Sequence, residues 1–168
     1  MSESVNVTVR ALVPTPYGVG VFLTDGRKII AIFIDPLVAS ALSMMAAGVK
    51  PPRPLTHDLM VRILEGLGVR VQRVVINDLK GETFYARLHL VQENELGRHL
   101  VEVDARPSDS MVLALQQQCP IVVLKEVWDR VGDMTWALEA AEAAARKEEN
   151  RTQQASDPSD DETRGKDL

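Results

Sequence analysis

Val103-Asp104-Ala105-Arg106-Pro107-Ser108-Asp109-Ser110-Met111-Val112-Leu113-Ala114-Leu115 carries the chain from a strand directly into a helix. Val101 and Val103 alternate with Glu102 and Asp104, the two-residue period of a half-buried strand. The apolar body from Met111 onward reads as helix. Pro107 disfavours helical backbone at Arg106, so the turn falls there. Ser108 is the expected N-cap, and Asp109 lies in the first turn, where negative charge suits the helix dipole. A corner this dense in charge is a candidate site as well as an ordinary capped turn.

Upstream of the corner, Val69–Ile76, Thr83–Val91 and His99–Val103 read as an antiparallel meander. Phe84, Ala86, Leu88 and Leu90 alternate with Tyr85, Arg87 and His89. Before it, Thr56 is expected to cap a helix with Leu59, Met60, Ile63, Leu64 and Leu67 on one face. Lys50-Pro51-Pro52-Arg53-Pro54 is a stiff, basic connector into that helix. Earlier still, Val5–Val13 alternates as a first strand. Gly18–Thr24 and Lys28–Ile34 flank Asp25-Gly26, a two-residue hairpin signal. The run Ile29–Ile34 is nearly all apolar and predicts a strand buried on both faces. Asp35-Pro36 then opens a helix that ends at Gly48.

Downstream, Pro120–Leu124 predicts a short strand and Lys125–Val131 a short helix. Asp133 is expected to cap a last helix through about Arg146, with only a narrow apolar stripe at Met134, Leu138 and Ala141. From Asn150 the composition predicts a disordered tail. The expected organisation is one domain over residues 1–131, a helical extension over 132–149 and a tail over 150–168.

Composition narrows the function. The chain has 168 residues, 45% hydrophobic but only 4% aromatic, so its core is aliphatic. A net charge of −5 excludes duplex nucleic-acid binding by bulk electrostatics and leaves local contacts. Cys119 is alone, which fits a reducing cytoplasm and a buried structural thiol. No secretory signal is expected at the N-terminus, and no apolar run reaches membrane-spanning length, so no membrane association is expected. Nucleophile-elbow, phosphate-loop and zinc-protease signatures are absent.

What remains is a scattered set of chemistry-bearing residues. Arg53, His57 and Asp58 sit at a helix start, where free amides favour an anion. Asp78 lies at a strand end, and Tyr85, Arg87 and His89 share a strand face. Asp104, Arg106, Ser108 and Asp109 form the corner, where Arg106 can pair Asp104 or Asp58 as a structural bridge.

The blocks Arg53-Pro54-Leu55-Thr56-His57-Asp58-Leu59, Val74–Asp78 with Gly81–Leu88, and Asp104–Asp109 together resemble the bifunctional nuclease family. The resemblance covers residues 5 to 131. It implies an α+β fold with a mixed, largely antiparallel sheet and flanking helices. It further implies a homo-oligomer, a dimer or small ring, and nuclease activity on RNA and DNA. Its motif positions fall on Arg53, His57, Asp58, Asp78, Tyr85, Arg106, Ser108 and Asp109. Two departures stand out. The family's Glu near Val38 is missing or replaced by Asp35, and Ser110 stands where Ala is common.

Two functions follow as expectations. In the first, a phosphodiesterase holds Mg²⁺ or Mn²⁺ with Asp58, Asp78 and Asp109. His57 carries the proton, and Arg53, Arg106, Tyr85 and Arg87 bind the nucleic acid. In the second, a non-catalytic oligomeric module uses the same corner for an anionic ligand or for regulation.

Overall fold

A computed structural model describes residues 3–155. The sheet elements are β1 (Ser4–Thr15), β2 (Gly18–Thr24), β3 (Ile29–Ile34), β4 (Val69–Lys80), β5 (Thr83–Asn94), β6 (Gly97–Ala105) and β7 (Ile121–Leu124). The helices are α1 (Pro36–Ala46), α2 (Thr56–Gly66), α3 (Pro107–Gln117), α4 (Lys125–Arg130) and α5 (Thr135–Ala155). The strands lie in the order β3-β2-β1-β7-β4-β5-β6. Two antiparallel meanders, β1–β3 and β4–β6, are joined by β7, which runs antiparallel to β1 and parallel to β4. This is the expected mixed, largely antiparallel sheet of an α+β domain.

Alternation sorts the two faces of the sheet. Val74, Ile76, Ala86 and Leu88 are buried and join one core with Met111, Leu113 and Leu42. Above that face α3 packs against α1, α2, β4 and β5. Val75, Arg87 and His89 point the other way. Helix α3 is the central one: Pro107, Ser108, Ser110, Met111, Val112, Leu113 and Ala114 are all buried. In its first turn Asp109 alone reaches the surface, which fixes where the corner can do chemistry.

Several local expectations change. Loop 25–28 closes the β2–β3 hairpin, because Thr24 pairs with Ile29 and Asp25 Oδ1 accepts from the Arg27 and Lys28 amides at 2.8 and 2.9 Å. β3 is an edge strand whose Phe33 is exposed, so it is not buried on both faces. β6 is the other edge, and its alternation buries neither face: Leu100, Val101 and Val103 are all exposed. Asp35 does cap α1, accepting from Leu37 N at 2.8 Å, with Pro36 at the first helical position. Thr56 and Ser108 are not caps. The cap positions belong to Leu55 and Arg106, and Pro107 occupies the first position of α3. Cys119 is half-buried, and burial pushes its thiol pKa up, consistent with an unreactive structural residue.

The chain divides into two compact units at Thr135 and Trp136. α5 belongs to the second and continues to Ala155, past the expected start of the tail at Asn150; the remainder of the expected tail lies outside the described residues. No helix among the described residues is long and apolar enough to cross a membrane.

Candidate functional site at the α2–α3 corner

The site is built by two helix starts. Leu55 has extended backbone, φ −83° and ψ 173°, after the proline-rich connector, and α2 begins at Thr56. The Asp58 carboxylate folds back and accepts from Leu55 N at 2.6 Å, holding the first turn. That places His57, which is only 9% exposed, against the start of α3. There Arg106 is extended, at φ −70° and ψ 143°, as the residue before a proline must be, and the helix begins at once.

One carboxylate then links both helices. Asp109 Oδ1 lies 3.1 Å from His57 Nε2, and Asp109 Oδ2 accepts from Arg106 Nε at 2.8 Å. Burial pushes the Asp109 pKa up, but the hydrogen bonds from Arg106 and His57 and the guanidinium charge outweigh it, so the pKa falls below the usual carboxylate value. The same hydrogen bond raises the Arg106 pKa further, as do the charges of Asp109 and Asp35. The bond to Asp109 orients the His57 ring. Nδ1 makes no hydrogen bond among the described residues, and it is not one of the sealed, unpaired atoms. The unshared ring nitrogen is thus unpaired among the described residues and not fully sealed.

Beside the triad lies a cleft of about 290 Å³, lined by Arg106, Pro107, Ser108, Asp35, Glu82 and Phe84, among others. Asp35 stands there as the N-cap of α1. Glu82 is not among the expected site residues. It occupies the tight β4–β5 turn, and its signal was its place at the head of the cleanly alternating strand. Gln116 is not among them either. It lies two helical turns beyond Asp109 on the same face of α3, and its Nε2 donates to Asp58 Oδ1 at 2.7 Å.

The expected site residues therefore separate. His57, Arg106 and Asp109 meet. Asp58 is beside them but spends its oxygens on Leu55 N and Gln116. Arg53 is exposed and makes no hydrogen bond or ion pair among the described residues. Asp104 is exposed and aligned with Arg87 across β5–β6, so it does not form the expected pair with Arg106. Asp78, Tyr85 and Arg87 belong to the other side of the sheet. Asp78 accepts from Leu79 N at 2.8 Å and pairs with Lys80 and Arg130 at 3.3 and 3.5 Å. Leu79 N is the main cause of its lowered pKa. The Tyr85 ring carries Lys80 Nζ 5.2 Å above it, and Arg87 donates to Glu102 at 2.8 Å.

This placement corrects the expected metal set. Asp58, Asp78 and Asp109 are each engaged by different partners, and among the described residues no three His, Cys, Asp or Glu side chains gather to hold an ion. Within one chain the donors do not fit a shared Mg²⁺ or Mn²⁺.

Comparison with known proteins matches the same part of the chain. A family model for the bifunctional nuclease domain covers residues 21–135. An uncharacterized protein of Mycobacterium tuberculosis, found in strains CDC 1551 / Oshkosh and H37Rv, is 39% identical over 108 residues. That match takes in 64% of this chain and 62% of the relative. Bifunctional nuclease 1 of Oryza sativa is 25% identical over 107 residues, 62% of this chain and 32% of the rice protein. The matched part thus spans about three-fifths of the mycobacterial relatives and a third of the rice one.

Proposed function

The chain belongs to the bifunctional nuclease domain family, and on that premise we propose that it hydrolyses phosphodiester bonds in RNA and DNA at the corner of His57, Arg106 and Asp109. The observation that carries this reading is the shared carboxylate, with one oxygen on an imidazole and the other on a guanidinium. Among the described residues Arg106 has only Nε engaged, so its terminal nitrogens are available to a phosphate. The amides of Ser108 and Asp109, at the start of α3, add to the attraction for an anion.

In the proposed step His57 Nδ1 takes a proton from water as the water oxygen attacks phosphorus. The imidazolium that forms is stabilised by Asp109, and the proton passes to the departing alkoxide as the phosphorus–oxygen bond breaks. Arg106 offsets the charge that builds on the phosphoryl oxygens. Asp109 acts through the other two and is a positioning residue. No step is routed through a metal ion, because no carboxylate set fits one. Cleavage that persists in chelator agrees with this mechanism. Strict dependence on Mg²⁺ or Mn²⁺ would mean that substrate or a second copy completes a donor set.

The test uses highly purified protein and a labelled single-stranded oligonucleotide. His57→Gln is expected to lower kcat by about 10²-fold or more. Arg106→Ala is expected to raise KM as well as lower kcat, and Arg106→Lys to recover part of the KM effect. Equal turnover by wild type and His57→Gln would overturn the assignment.

A second reading has one observation in its favour: the carboxylates of both Asp58 and Asp109 are already hydrogen-bonded within the fold. As a non-catalytic oligomeric module, the protein would bind an oligonucleotide at the corner without turnover. We also propose self-association, which the exposed side chains Leu59, Met60 and Ile63 on α2 and Leu67 at its C-cap support.

A further inference from the structure

The face of the sheet away from α1, α2 and α3 carries a second cavity, with a volume near 560 Å³. Its lining includes Arg73, Arg87, His89, Glu102 and Asn77, with an apolar floor of Val75 and Val122. None of these residues belongs to the His57–Asp109–Arg106 corner.

The polar groups here are wired across three strands. Arg73 on β4 donates from Nε to His89 Nδ1 on β5 at 3.2 Å. Arg87 on β5 donates to Glu102 Oε2 on β6 at 2.8 Å, and His89 Nε2 faces Glu102 Oε1 at 3.7 Å. Burial, and then the Arg73 charge, lower the His89 pKa, so at neutral pH the ring is neutral and its Nδ1 stays an acceptor. Glu102 is hydrogen-bonded to Arg87 and also feels the Arg73 charge, while the hydrogen-bond partner of Arg73 is the His89 ring.

Arg73 is thus a positioned guanidinium with its terminal nitrogens unengaged among the described residues. The nearest carboxylate on the groove wall is already bonded to another arginine. Asn77 adds a donor. Its Oδ1 is sealed and unpaired, whereas Nδ2 forms no hydrogen bond among the described residues and is not sealed. A groove with a guanidinium whose terminal nitrogens are unengaged, an amide donor and an apolar floor suits an anion attached to a flat or apolar body.

We propose that this groove binds a small phosphate monoester of the nucleoside monophosphate class, with the phosphate on Arg73 and Asn77 and the planar body over Val75 and Val122. The site is separate from the corner and does not depend on the hydrolytic reading. Arg87 contributes charge to the wall but stays paired with Glu102.

Calorimetric titration of the full chain with adenosine monophosphate, adenosine and inorganic phosphate tests the proposal. The monophosphate is expected to bind with one site per chain, phosphate more weakly, and adenosine least. Arg73→Ala is expected to weaken monophosphate binding at least about tenfold, close to 1.4 kcal/mol. Asn77→Asp, which puts a carboxylate into the groove, should weaken it too and serves if Arg73→Ala fails to fold. Absence of monophosphate binding by wild type would overturn the proposal. So would undiminished binding by a folded Arg73→Ala.

Discussion

Ser110 is fully buried in α3 and its Oγ has no hydrogen-bond partner. A sealed hydroxyl without a partner costs about 1–3 kcal/mol of desolvation. Ser110→Ala removes it with little change of volume. The variant is expected to gain about 1 kcal/mol, seen as a rise of a few degrees in Tm; a lower Tm would mean that the hydroxyl has a partner in solution. Ser110 also shows how local composition can be read at this scale. The resemblance marked it as a departure at a position where Ala is common, but its burial depended on helices packing around α3. Asp109 was legible as a first-turn carboxylate, but its two partners were not. The sequence pairs Arg106 with Asp104 or Asp58 instead, and His57 reaches Asp109 only because two helix starts meet. Glu82 was hidden for the same reason: a turn residue gives no sign of the cleft it will line.

At the scale of elements, periodicity located every strand and helix but failed at the two edges. β3 is almost wholly apolar, and β6 alternates, yet both leave large side chains exposed because each lies at an end of the sheet. Strand order comes from pairing far along the chain, above all the insertion of β7 between β1 and β4, which no local pattern records. The entry to β2 shows the physical cost of one such pairing. Gly18 has φ +128°, and a Cβ there would sit 2.7 Å from the Ile34 carbonyl oxygen of the neighbouring strand. Gly18→Ala is therefore expected to destabilise the protein by about 2 kcal/mol or more, measured by chemical denaturation. A loss below about 0.5 kcal/mol would show that the β2–β3 edge relaxes freely.

For the whole molecule, the sheet divides the expected site into two. The α2–α3 side holds His57, Arg106 and Asp109, and the opposite side holds Asp78, Tyr85 and Arg87. Strand alternation predicted that Tyr85, Arg87 and His89 share a face, but not that the face points away from the corner. Self-association has its own test. Light scattering is expected to give wild type a mass above that of one chain, and Ile63→Asp, on the exposed stripe of α2, should reduce it. A monomeric wild type would contradict assembly through α2. The central claim is that Asp109 organises a hydrolytic corner. Its most direct test is the turnover of a labelled single-stranded oligonucleotide by wild type and Asp109→Asn, with Tm measured on both. Cleavage by wild type, with kcat about 10²-fold lower in an Asp109→Asn protein that melts within a few degrees of it, is the predicted result. Equal kcat in the two proteins, or no cleavage by wild type, would contradict it.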